Sequence, residues 1–344
     1  MPSQDLVSIA KAMVAPGKGI LAADESTGTI ENRFKGIKVE NTEENRRAYR
    51  DMLFTAKGLG DYISGVILYD ETLRQMSADG TSFVDLLNRN GILPGIKVDL
   101  GAKPLPLHPG EVITEGLDGL PKRCAEYYKM GARFAKWRSV ITIGKDIPSG
   151  ACVEENAHAL ARYAAICQEA GIVPIVEPEV LMDGDHTIER CEQVTEWTLK
   201  TLYDALYVNG VMLEGSVLKP SMVISGKDCP QQAGVDEVAE RTVRTLKRTV
   251  PGEVAGIVFL SGGQSDELAT AHLNAMNLKF KDSLPWPVSF SYGRALQAAS
   301  LKAWKGSTAN VAAAQAALLH RSRMNSLAYQ ARYTADSEKQ TKAA

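Results

Sequence analysis

The sequence predicts a single closed (β/α)8 barrel, a TIM barrel, and three observations lead there. Eight short runs rich in apolar and β-branched residues are spread along the 344 residues. Most are separated by stretches of helical period, the pattern of parallel βα units. No Pro/Gly/Ser-rich linker divides the chain, so one barrel spanning residues 1–344 fits better than two doubly wound domains. No G-x-G-x-x-G follows the first run and no G-x-x-x-x-G-K-[ST] occurs, which argues against dinucleotide and P-loop sites.

The elements follow in order. An amphipathic helix is expected over about 4–15, stopped by Pro16-Gly17. GILAAD (19–24) is the first strand, and the turn-forming stretch ESTGT follows it. The next helical pattern, NTEENRRAYRDMLFTAKGLG, has Thr42 as its N-cap, acids in its first turn and glycine at its end. Further strands are expected at 63–70, 93–99, 132–140, 172–180, 211–220, 255–263 and 287–294. Helices are expected at Glu154–Ala170, Glu189–Asn209 and Val235–Thr249. The polar end of the chain, about 328–344, is expected to be a mobile tail.

Composition narrows the function class. Net charge is −2, so no strong basic face is implied and nucleic acid or anionic membranes are poor primary partners. No apolar run approaches a membrane span, and the first residues are not patterned as a signal peptide. Five cysteines (Cys124, Cys152, Cys167, Cys191, Cys229) are widely spaced without a C-x-x-C pair, as small buried hydrophobes of a reducing compartment are. A soluble cytoplasmic protein is expected.

The chemistry is carried by charges at strand ends, the face on which barrels build active sites. Strand one ends on Asp24, strand three carries Lys97 and Asp99, and strand four carries Lys136 and Arg138. Strand five carries Glu177 and Glu179, and strand six, VMLEGSVLKP, ends on Lys219. Residues i and i+2 of a strand share a face. If that face is the barrel interior, at least three basic and three acidic groups meet there, with pKa values pushed apart. On the outer face the same pairs would be ordinary salt bridges to helices. Burying an ammonium favours the neutral amine, which attacks carbonyls and forms Schiff bases.

Two glycine loops stand where barrels bind phosphate, Ser261-Gly262-Gly263 after strand seven and Ser291-Tyr292-Gly293-Arg294 after strand eight. A second anion site is expected at Ser26, Thr29 and Arg33, with Lys97 nearby, although these hydroxyls also suit helix capping. The histidines (His108, His158, His186, His272, His320) form no ligand-spaced pair, and Asp183-Gly184-Asp185-His186 reads as a tight turn. No metal site and no cofactor are expected.

The strings GILAADESTGTI, GIKVD, FAKWR, GIVPIVEPE, DGDH, LEGSVLKP, VFLSGGQS and FSYGRALQAASLKAW resemble those of class I, Schiff-base-forming fructose-bisphosphate aldolases. The resemblance runs from about Ile9 to Tyr333. Transaldolases share the lysine logic but not these strings. The resemblance implies reversible cleavage of fructose 1,6-bisphosphate to dihydroxyacetone phosphate and glyceraldehyde 3-phosphate in glycolysis and gluconeogenesis. Lys219 would be the Schiff-base nucleophile, Glu177 the general acid/base and Asp24 the group that deprotonates the hydroxyl. Lys136 and Glu179 would tune them. Phosphate contacts would fall on Ser261, Gly262, Gly293 and Arg294 at one end and on Ser26, Thr29, Arg33 and Lys97 at the other, with Arg138 lining the cleft. The resemblance also implies a homotetramer, and a secondary scaffold role as reported for some members. Two departures are visible. Thr29 stands where many members carry serine, which keeps the hydroxyl. Family members commonly finish in a longer tail ending on tyrosine that assists enamine proton exchange, whereas this chain ends EKQTKAA. Nothing in the sequence makes Tyr333 its substitute.

Overall fold

A computed structural model describes residues 2–339. Eight parallel strands close in the order β1-β8-β7-β6-β5-β4-β3-β2. They are β1 (Gly19–Ala23), β2 (Ile63–Leu68), β3 (Leu93–Lys97), β4 (Phe134–Ile141), β5 (Val173–Val180), β6 (Val217–Leu218), β7 (Ile257–Phe259) and β8 (Val288–Tyr292). The expected single-domain TIM barrel is therefore what the chain forms.

The barrel interior divides by depth. Its N-terminal half is an apolar plug of Ile20, Ala22, Ile67, Phe134, Val173, Ile175, Val217 and Val258. The helix Pro2–Met13 closes it from below through Leu6, Ala10 and Met13. Gly95 on β3 has no side chain because a Cβ there would fall inside the Phe134 ring. Alternation then fixes what lies above the plug. Since Phe134 and Ile175 point inward, so do Lys136, Arg138, Glu177 and Glu179. Trp137 faces the other way and packs on Tyr163 of the helix Gly150–Glu169, with ring centroids 5.5 Å apart.

Several local expectations hold. Thr42 caps the helix Glu43–Phe54, its hydroxyl accepting from the Asn45 amide at 3.1 Å. The helix Val235–Thr249 has the expected bounds, and all five cysteines are buried and unbridged. At Asp183–His186 the chain turns on Gly184, φ +104°.

Strand six departs from expectation. Of Val211–Pro220 only Val217–Leu218 pairs as strand, and Leu213–Gly215 forms a 3-10 turn. The Gln168 amide is the reason. It donates to Met212 O at 2.7 Å and Gly215 O at 3.1 Å and accepts from the Met212 amide at 2.9 Å. A side chain has taken the bonds a neighbouring strand would have made. The sequence reading also did not include the antiparallel hairpin of Ala102–Pro104 with Val112–Thr114.

The segment read as a tail from 328 is helical to Tyr329 and forms a turn at Ala335–Glu338. Glu338 ties this turn to the barrel, accepting from Arg321 at 2.5 Å, His320 at 2.8 Å and the Tyr333 hydroxyl at 3.0 Å. Residues 340–344 of the expected tail lie outside the described residues. Burial opposes ionisation of Glu338, but the Arg321 charge and these donors hold its carboxyl below the usual 4.5. A carboxyl depressed in this way stabilises the fold above its unfolded pKa and loses that contribution as pH falls through the folded value. Glu338→Gln should lower unfolding stability by about 1–3 kcal/mol at neutral pH. Urea titrations should show the difference from wild type shrinking below about pH 4. An equal deficit at both pH values would refute the assignment.

Candidate active site

Six ionisable groups stand at the C-terminal mouth of the barrel. Asp24 follows β1, Lys136 and Arg138 lie in β4, Glu177 and Glu179 in β5, and Lys219 follows β6. The Lys219 ammonium lies 3.3 Å from Glu177 Oε1. Lys136 Nζ lies 3.2 Å from Glu177 Oε2 and 3.0 Å from Asp24 Oδ2. Arg138 pairs with Glu179. Lys136, Glu177, Glu179 and Lys219 are all buried. The interior face is thus the one the i, i+2 pairs occupy, and the outer-face alternative fails.

Lys219 is placed by its neighbours in sequence. Pro220 holds it in extended backbone, and its amide donates to Val176 O at 2.8 Å, continuing the β5 ladder. Its side chain then leaves from the edge of the apolar plug toward the carboxylates.

Charge balance sets the protonation states. Burial disfavours the Asp24 carboxylate, but the nearby Lys136 and Lys219 charges outweigh it and hold the carboxyl well below the usual range. Burial likewise opposes the Lys136 charge, and Asp24 and Glu177 reverse that effect and push its pKa up. Lys136 is therefore a permanent cation between two acids. Partial burial opposes the charge of Arg138, whose side chain still reaches solvent, and the Glu179 carboxylate outweighs it.

A cavity of about 300 Å³ opens over this cluster. All six groups line it, together with Ser26, Thr29, Arg33 and Lys97 and with Ser261, Gly262, Gly293 and Arg294, and Arg33 Nη2 stands 3.7 Å from where a Cβ on Gly293 would lie. The structure thus brings the sequence-predicted residues together, with one exception. Gly263 is absent from the lining and faces Met182, whose sulfur a Cβ there would strike. Gly262 adopts φ +55°, the left-handed region. Arg294 donates to the Gly262 and Gln264 carbonyls, which fixes the loop to the start of the helix Arg294–Trp304. Ser26 is the N-cap residue of the helix Thr27–Lys35, and its hydroxyl lies 3.1 Å from that of Thr29. Lys97 is held at 2.5 Å by Asp99.

Sequence reading missed Glu25, which stands in the cavity wall together with Ser291 of the loop after strand eight. Glu25 bridges Arg33 to the buried Arg50, which lies 2.7 Å from its second oxygen. Its position beside Asp24 was the available signal, but its partners come from two later helices. A larger hollow of about 820 Å³ lies outside the barrel between the hairpin and the helix Gly150–Glu169, and none of these groups lines it. Tyr333 lines another surface hollow with Leu268 and Leu278, and is not in the cavity wall. Among the described residues no group of side chains is arranged to hold a metal ion. No described helix is long and apolar enough to cross a membrane.

Comparison with known proteins gives one answer. A family profile described as fructose-bisphosphate aldolase class-I matches residues 5–344. A probable fructose-bisphosphate aldolase class 1 of Xanthomonas campestris is 62% identical over 329 residues, covering 95% of this chain and 98% of that protein. A cytosolic fructose-bisphosphate aldolase of Arabidopsis thaliana is 57% identical, covering 96% and 92%. Among solved structures, the Plasmodium falciparum fructose-bisphosphate aldolase, in complex with TRAP and a small-molecule inhibitor, superposes with a TM-score of 0.95. It is 52% identical, covering 97% of this chain and 96% of that one.

Proposed function

The chain belongs to the class I fructose-bisphosphate aldolase family, lyases of glycolysis acting on sugar phosphates, and from that premise we propose how its own residues divide the chemistry. Lys219 is the nucleophile. Its ammonium passes a proton to Glu177, and the neutral amine attacks the ketone carbon of fructose 1,6-bisphosphate, the oxygen taking up an amine proton to give a carbinolamine. Glu177, 3.3 Å from Lys219 Nζ, gives the proton with which the hydroxyl leaves as water. The protonated imine that remains is an electron sink.

Asp24 takes the proton of the hydroxyl on the carbon β to the imine, and the bond between the α and β carbons breaks. Its electron pair moves into the imine to give an enamine, and glyceraldehyde 3-phosphate departs. Proton return to the enamine carbon and hydrolysis of the imine release dihydroxyacetone phosphate and free Lys219. Lys136 keeps Asp24 ionised and orients Glu177, while Glu179 and Arg138 support each other beside them. Ser261, Gly262, Gly293 and Arg294 hold one phosphate, and Ser26, Thr29, Arg33 and Lys97 the other. A cytoplasmic location accords with the Arabidopsis relative, whose name places it in the cytosol. The homotetramer rests on the family resemblance.

One observation carries this reading: a buried lysine amine within reach of a carboxylate at the barrel mouth. Borohydride reduction of EDTA-treated enzyme with fructose 1,6-bisphosphate should leave a secondary amine on Lys219, found by peptide mass analysis. An adduct on another lysine, or none, would sink the assignment.

A further inference from the structure

Gln297, in the second turn of the helix Arg294–Trp304, is fully buried and does not line the cavity. Its amide nitrogen donates to the Ala22 carbonyl at 2.7 Å and to Glu25 Oε1 at 2.9 Å. Its amide oxygen accepts from the Tyr49 hydroxyl at 2.9 Å. Since Ala22 O can only accept, the nitrogen must face β1, and both of its hydrogens are used. Every bond joins a segment some 250 or more residues away, with separations of 248, 272 and 275 residues.

The far end of this chain of bonds is Arg33. Glu25 Oε1 accepts from Gln297 and also pairs with Arg33, while Glu25 Oε2 faces Arg50 at 2.7 Å. A carboxylate free to rotate would let the Arg33 guanidinium drift; one fixed from two sides aims it. We infer that Gln297 is a positioning residue for substrate phosphate: it fixes Glu25, and Glu25 fixes Arg33 at the cavity wall. The helix that begins with Arg294 thereby also sets Arg33, whose Nη2 stands 3.7 Å from the Cβ position of Gly293. This inference rests on the assignment of Arg33 to a phosphate of the substrate.

Steady-state kinetics of the full chain with fructose 1,6-bisphosphate test it. Gln297→Met keeps the side-chain length and removes all three bonds. It should raise KM about tenfold with kcat within about twofold. Arg33→Met should raise KM at least as much, and the double variant no further than Arg33→Met alone. If Arg33→Met raises KM and Gln297→Met does not, Gln297 positions nothing. If Arg33→Met itself leaves KM unchanged, the phosphate assignment fails first and takes this inference with it.

Gln297→Glu covers the case in which the methionine variant does not fold. At neutral pH its carboxylate would oppose Glu25, with Arg33, Arg50 and Tyr49 as the other polar groups around the pair, and KM should rise. Below about pH 6 the opposed pair takes up a proton and can donate again, so KM relative to wild type at the same pH should fall back. A ratio that stays flat with pH would overturn the inference, because a mere packing defect does not titrate.

Discussion

Lys219→Ala gives no borohydride-trapped adduct and loses kcat by a factor on the order of 10⁴ or more, as removal of a covalent nucleophile does elsewhere. The fold should survive the change. Glu177 keeps Lys136 at 3.2 Å, so removing the Lys219 ammonium does not strand a buried carboxylate. Circular dichroism and thermal unfolding near wild type, together with lost activity, are the expected pair of results. Substantial residual turnover in a folded Lys219→Ala protein would mean that another amine carries the imine.

Asp24→Asn is expected to separate two steps that Lys219→Ala abolishes together. The imine should still form and be trapped on Lys219, while cleavage falls by about 10²–10⁴, the usual range for loss of a positioned acid or base. Lys136 and Lys219 hold Asp24 ionised well below the ordinary carboxylate range. The acidic limb of the wild-type rate profile should therefore belong to another group. The same cations make Asp24 a weak base by itself. In the proposed mechanism it takes the hydroxyl proton only with the help of the imine, which withdraws electrons from the breaking carbon–carbon bond. If Asp24→Asn lost trapping as strongly as cleavage, Asp24 would belong to imine formation instead.

Much of this site was legible because a strand repeats every two residues. Once Lys136 and Arg138 shared a side with Phe134, and Glu177 and Glu179 flanked Pro178, only the choice of face stayed open. The number of charged strand ends decided it. Glycine loops after β7 and β8 were legible for a similar reason, since the barrel assigns those positions a role. Arg50 and Gln297 were not, and Glu25 offered only its place beside Asp24, because no local pattern shows that a glutamine's partner lies 272 residues away. The short β6 was hidden likewise, since Val211–Ser216 has strand composition and loses its ladder to Gln168 on another element. Gly263 was included as part of the Ser261-Gly262-Gly263 loop after β7, and the structure sets Gly262 in the cavity wall and Gly263 against Met182.

Lys219 follows β6, the shortest of the eight strands, yet its backbone is bonded on both flanks. Its amide is bonded to Val176, the Pro220 carbonyl accepts from the Leu260 amide at 3.2 Å, and the Ser221 hydroxyl donates to Val180 O at 2.9 Å. Freeing this backbone means parting β5 and the segment after β7 at the same time. The Lys219 amide should then exchange its hydrogen only through rare, large openings, among the slowest in the molecule. Motion during each turnover is left to rotations within the lysine side chain and to the loops around Ser26 and Gly262, on far shorter timescales.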